Sequence, residues 1–244
     1  MMNFRKLLFT GLCAAPLGAC ALADVASSPA PNLYVLTAAH SQPGENMGQT
    51  SAQLLVDEFS AASVIDTSRI VFQPGDNEIK YYKDTRWSDS VPRMIQDLLV
   101  ETLQNTGRFA AVAEAGSELR SDFKLMGDIR SFGAVENANG TNVRVALLVQ
   151  LVRASDRSIV SSRSFSSTVA PVGSGMGPVI AAYDAAMRQV LNEISIWTLD
   201  EAARAAPASR PVTSTRTHGA VITPNATLKS DAPYDIMNDP DDPL

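Results

Sequence analysis

Few side chains in this chain are equipped to do chemistry, and the first to consider is a thiol. Cys20 follows Leu17, Gly18 and Ala19, so a leucine stands three places before it and only small side chains lie between. A thiol can form a thioether to a diacylglycerol, and small neighbours let a peptidase reach the bond between Ala19 and Cys20. Cys13 lies inside an apolar run and lacks this setting. Two cysteines and two histidines are too few soft ligands for a structural zinc site or a haem, so no metal or cofactor is expected. Serine catalysis needs a base within hydrogen-bond reach. His40 in a loop and His218 near the end of the chain have no evident partner, and no G-x-S-x-G elbow is present. The run Gly173-Ser174-Gly175-Met176-Gly177 precedes a helical segment, as phosphate cradles do. Its spacing is G-x-G-x-G, however, and Pro178 removes one amide donor. The acidic residues are scattered, and no pair is singled out for glycoside hydrolysis.

The segment that presents Cys20 has the order of an export signal. Arg5 and Lys6 precede the apolar run Leu7–Leu17, LLFTGLCAAPL. As a helix those 11 residues would span about 16 Å, half a bilayer core, too short for a permanent anchor. Leu17-Gly18-Ala19-Cys20 resembles the lipobox of bacterial lipoproteins, which implies a signal peptide over 1–19 and lipid on Cys20. A second cleavage reading exists. Ala21-Leu22-Ala23 before Asp24 fits an ordinary A-x-A site, which would release an unlipidated protein. On the lipobox reading, each buried methylene adds about 0.8 kcal/mol, so two or three chains on one cysteine hold durably to a membrane. Ala21 rather than an aspartate after the cysteine points, by resemblance to enterobacterial sorting, to the outer membrane. The expected location is therefore periplasmic and lipid-anchored.

Beyond Cys20, residues 20–31 are small, polar and proline-bearing and read as a lipidated tether reaching at most about 40 Å. Residues 204–244 hold six prolines and few large apolar side chains, and read as a disordered, solvated tail. Its acidic end, with Asp235, Asp239, Asp241 and Asp242, could engage a basic partner. The folded unit is expected over 32–203. Across the chain, 26 acidic residues against 20 basic ones give a net charge of -6, the wrong balance for nucleic acid. The absence of a long apolar run argues against a polytopic transporter.

Within 32–203, short strands are expected at Leu33–Thr37, Ala52–Phe59, Arg69–Phe72, Glu78–Lys83 and Phe109–Val112. Ser88–Asn105 reads as a helix, with a cap among residues 88–90, Pro92 in the first turn and Gly107 closing it. Its buried side should carry Ile95, Leu98, Leu99, Thr102 and Leu103. Asp122–Phe132 and Val143–Val152 alternate apolar and polar residues, and Asn139-Gly140 supplies turn chemistry for a hairpin. Ser158–Val169 adds a third strand, making an antiparallel meander. A last helix over 178–203 aligns Ile180, Tyr183, Met187, Val190, Ile194 and Trp197. The order predicts an α+β fold, a mainly antiparallel sheet with two helices packed on one face.

One stretch is distinctive: Tyr82, then Arg86-Trp87, Pro92, Leu98-Leu99, Leu103, Gly107, Phe109 and Val112, with Asn32–Leu36 (N-L-Y-V-L) upstream. It resembles the ABC-type transport auxiliary lipoprotein family of the paraquat-inducible protein C type, over residues 32 to about 200 plus the lipobox. The resemblance implies a non-enzymatic periplasmic lipoprotein of an envelope system that moves lipids or other hydrophobic compounds between membranes. Its partners would be a mammalian-cell-entry (MCE) domain protein, an ABC permease and an ATPase. Arginine and aromatic side chains supply most binding hot spots, which makes Tyr82, Arg86 and Trp87 the expected partner contacts. Trp87 could instead pack over the first helical turn. Two other functions stay open: a lipid-binding module acting without a transporter, and an envelope hydrolase.

Overall fold

The computed structural model describes residues 30–40, 48–75, 77–138 and 140–206. The expected signal peptide, Cys20, most of the tether and the tail from residue 207 lie outside the described residues. Among the described residues eleven elements succeed one another in chain order: β1 (Asn32–Tyr34), β2 (Gln53–Val56), β3 (Ser60–Ala61), β4 (Arg69–Gly75), β5 (Glu78–Trp87), α1 (Val91–Asn105), β6 (Ala111–Glu114), β7 (Phe123–Asn137), β8 (Gly140–Arg153), β9 (Ile159–Val169) and α2 (Met176–Ala205).

The meander β7–β8–β9 is the backbone of the sheet. Asn137 pairs with Gly140 at the hairpin end, where Gly140 has φ 106°, a value that favours glycine. Apolar residues alternate onto one face, where Leu125, Ile129, Val145, Leu147, Val149, Leu151 and Phe165 are all buried. Strict alternation would bring Ser131 inward after Ile129. A register shift between Ile129 and Ser131 turns the strand by one residue, and Phe132 and Ala134 are buried instead.

The other edge of β7 receives three short strands in succession along its length: β2 opposite Phe123–Leu125, β3 opposite Asp128 and Ile129, and β4 opposite Ala134 and Val135. All three run parallel to β7, and so do β2 with β6 and β1 with β5. The nine-stranded sheet is therefore mixed: its long ladders, β7 with β8, β8 with β9 and β4 with β5, are antiparallel as expected, and the short pairings are parallel. The reason is topological: β2 and β6 are joined through a crossover that contains α1, and such a crossover returns the chain in the same direction.

α1 starts at Ser90, whose backbone is extended, carries Pro92 in its first turn, and ends before Gly107 at φ 60°. Its Ile95, Leu98, Leu99, Thr102 and Leu103 are buried, and it touches β2, β6 and α2. α2 begins at Met176 and extends to Ala205, slightly longer at both ends than expected, and lies against β8 and β9. Tyr183, Met187, Val190, Ile194 and Trp197 are buried; Ile180 is only half-buried, and Val179 takes the inward place. No described helix is long and apolar enough to cross a membrane.

Candidate functional site

β5 supplies the three side chains singled out for partner contact, and its course is irregular where they lie. Between the Arg69–Arg86 and Val71–Tyr81 pairs, β4 advances two residues and β5 advances five. Residues 82–85 thus stand opposite the single residue Ile70 of β4, three more than a regular ladder holds; Thr85 pairs instead with Asn32 of β1, and Asp84 sits in the left-handed region at φ 53°. Bulges of this kind re-aim side chains at sheet edges and next to sites, and a non-glycine residue at positive φ is a local cost that the surrounding packing has to hold.

The bulge separates two open recesses. One, of about 570 Å3, is lined by Phe72, Tyr82, Thr85, Glu136, Met176 and Val179, with the loop before α2. The other, of about 400 Å3, is bounded by Pro31, Arg69, Tyr81, Asp84 and Arg86. Tyr82 lines both, half-buried, its ring 5.2 Å from that of Phe72. Burial, and then the Glu136 carboxylate, push its phenol above the ordinary tyrosine value, so it is a neutral hydrogen-bond donor at physiological pH. Arg86 is exposed. Arg69, paired with it across the hairpin, stacks its guanidinium 3.6 Å from the centre of the Tyr81 ring.

Trp87 is a correction to the expected contact set. It is 1% exposed, one residue past Arg86 on the inward side of the strand. Its ring meets Tyr183 edge-on at 5.0 Å and Phe132 at 5.7 Å, geometries that aromatic quadrupoles favour. Tyr183 donates from its hydroxyl to the Val71 carbonyl oxygen at 3.0 Å, and burial drives its phenol far above the ordinary value. What faces solvent here is Tyr82 and Arg86, with the aromatic cluster as their foundation. Phe72, Glu136 and Met176 come from β4, β7 and α2, and no local spacing in the sequence links them to Tyr82.

Other residues with possible chemistry remain apart. His40 is exposed. Gly173 and Gly175 adopt φ of 113° and 93°, shaping the turn into α2, which has no side-chain cap. Among the described residues, no group of three or more His, Cys, Asp or Glu is placed to hold a metal ion. Ala19 and Cys20 lie outside the described residues.

Comparison with known proteins places this arrangement. The family described as ABC-type transport auxiliary lipoprotein component matches residues 34–195. The crystal structure of protein XCC0632 from Xanthomonas campestris is similar, with a TM-score of 0.67 and 31% identity over 71% of this chain and 97% of that one. A second solved structure, of an uncharacterized protein, shares the fold at 16% identity and a TM-score of 0.50, covering 72% of this chain and 98% of that one. The uncharacterized protein bll6063 of Bradyrhizobium diazoefficiens is 28% identical over 150 residues, 61% of this chain. That match spans only 40% of the relative's length. A family match extending from β1 to the middle of α2 leads to one conclusion: this chain belongs to the ABC-type transport auxiliary lipoprotein family.

Proposed function

We propose that this protein is a non-enzymatic accessory lipoprotein of an ABC/MCE-type envelope transport system that moves lipids or other hydrophobic compounds between membranes. The observation that carries the reading is the family match over residues 34–195. The lipobox at Leu17–Cys20 supports it, since it would fix the domain to a membrane on the periplasmic side, the outer one by the Ala21 criterion. The MCE-domain protein, the permease and the ATPase would come from other chains, and this chain would contribute docking. Tyr82 and Arg86 are the proposed contact residues: a half-buried amphipathic ring in the bulge and an exposed guanidinium beside it.

The test is capture of the full chain from its own cells in mild detergent. An MCE-domain protein and transporter subunits should come with it, and Y82A/R86E should recover them roughly thirtyfold less well, the effect of losing one hot spot. Companions lacking any transporter subunit would overturn the proposal. Labelled palmitate fed to cells should enter the wild type and not Cys20→Ser; equal labelling would refute the anchor alone.

A further inference from the structure

The face of β4 and β5 turned away from the aromatic cluster holds a charge arrangement that packing does not account for. Arg69 of β4 and Arg86 of β5 are paired directly across the antiparallel ladder, and both are exposed. Like charges directly opposite one another weaken a sheet, so this pair calls for a counter-charge. The carboxylates in the vicinity are engaged elsewhere. Both carboxylates of β5 bind lysines of the same strand, Glu78 with Lys80 at 2.7 Å and Asp84 with Lys83 at 3.9 Å, and Asp89 pairs with Arg93 at 3.5 Å. Among the described residues neither Arg69 nor Arg86 has an ion-pair partner.

The two arginines line one recess of about 400 Å3, together with Pro31, Tyr81, Lys83 and Asp84. Three cations stand against one carboxylate there, in a chain whose net charge is -6. Arg69 is restrained before any ligand arrives: its guanidinium stacks on the Tyr81 ring, and the Tyr81 hydroxyl donates to the Val64 carbonyl oxygen at 3.4 Å. A group already held in place loses less freedom on binding. Two guanidinium forks in one recess match a phosphate group, whose several oxygens accept from both.

The neighbouring strand indicates what carries that phosphate. β1 runs along the other edge of β5 and pairs Leu33 with Arg86, so Leu33, Arg86 and Arg69 form one row across three strands. Leu33 is 65% exposed and Val35, two residues on, 66%. Large apolar side chains open to solvent beside a cationic recess suit a ligand that is anionic at one end and apolar at the other.

We infer that this recess binds the headgroup of an acidic phospholipid, its phosphate oxygens on Arg69 and Arg86 and its apolar part over Leu33 and Val35. The inference goes beyond the transport role proposed above and does not rest on it. Arg86 also belongs to the proposed partner surface, whereas Arg69 does not, so R69Q separates loss of phosphate binding from loss of partner capture.

Calorimetric titration of the full-length protein in a nonionic detergent tests it, with dihexanoyl-phosphatidylglycerol below its micelle threshold and inorganic phosphate as the two probes. The phospholipid should bind saturably and roughly tenfold more tightly than inorganic phosphate, the effect of burying about two methylenes. R69Q and R86Q should each weaken it by roughly tenfold or more, the loss of a charge-assisted hydrogen bond. R86Q disturbs no stack on Tyr81, so it keeps the test independent of that contact. R144Q, which removes an exposed arginine of β8, should leave binding unchanged. Inorganic phosphate bound as tightly as the phospholipid would overturn the lipid assignment in favour of a free anion. Absence of phospholipid binding, binding that survives both R69Q and R86Q, or an equal loss in R144Q would overturn the site itself.

Discussion

The two faces of β7–β8–β9 are made of the same strands yet obey different demands. Inward, Leu125, Val145, Leu147 and Leu151 meet the helices in one continuous core. Outward, Met126, Gln150 and Val152 stand beside Lys124, with the serines of β9 as neighbours. Each inward leucine removed from water contributes about 1.5–3 kcal/mol, so that face sets the fold. The outward face is not bound by that constraint, and it leaves Met126 and Ile159 exposed beside Lys124. The lesson is that a large exposed side chain on this sheet is informative because its immediate neighbour in sequence is buried.

The sharpest way to break the comparison is to truncate adjacent residues that point opposite ways. Leu147 is 1% exposed and pairs with Ile129 and Phe165, whereas Leu148 is half-buried on the outer side. L147A should cost about 2–5 kcal/mol in a denaturant titration. L148A should cost about 1 kcal/mol or less in the same measurement. Equal losses would mean that both faces are core.

Next in size is a substitution that adds an atom. Gly127 lies in β7 where a Cβ would stand 2.0 Å from the Leu148 carbonyl oxygen and 2.9 Å from Cε2 of buried Phe59. Gly127→Ala should therefore destabilise by about 1–3 kcal/mol through overpacking. An unchanged melting midpoint would show that the strands can separate locally without loss, contrary to a tightly set inner face.

The same contrast explains what could be read in advance. Period-two alternation and Asn139-Gly140 announce the β7–β8 hairpin because local pattern and long-range pairing agree there. The stripe from Tyr183 to Trp197 announces the buried side of α2 for the same reason. The parallel pairings of β2, β3 and β4 with β7 join segments some 60 to 70 residues apart, and paired stretches of two or three residues carry too little pattern to choose a neighbour or a direction. At the candidate site, Tyr82, Arg86 and Trp87 were visible by type. That Arg86 stays outside while Trp87 goes inside depends on how β5 meets β4, Phe132 and Tyr183, which one segment cannot encode.

A smaller effect tests the foundation of that site. Tyr183→Phe removes the donor to the Val71 carbonyl oxygen but keeps the ring against Trp87 and Phe132. The loss should be about 1 kcal/mol in thermal or chemical unfolding, the net worth of one buried hydrogen bond. A loss as large as that of L147A would mean that the hydroxyl, rather than the ring, organises the cluster.

The least effect concerns charge, which the comparison confines to outward surfaces. Asp97 lies on the exposed side of α1, and partial burial, then Glu114, raise its carboxyl above the ordinary value, while Arg93 opposes them. A raised folded value means that the native state binds more protons than the unfolded chain between the two titration points. Stability from this group is therefore present at lower pH and falls as pH rises through that window. D97N should flatten this decline without moving the rest of the pH profile, and because the group is mostly exposed the change should be small. A profile of unfolding midpoints that is identical in wild type and D97N would remove Asp97 as its cause and leave the neighbouring Glu114 as the group to test.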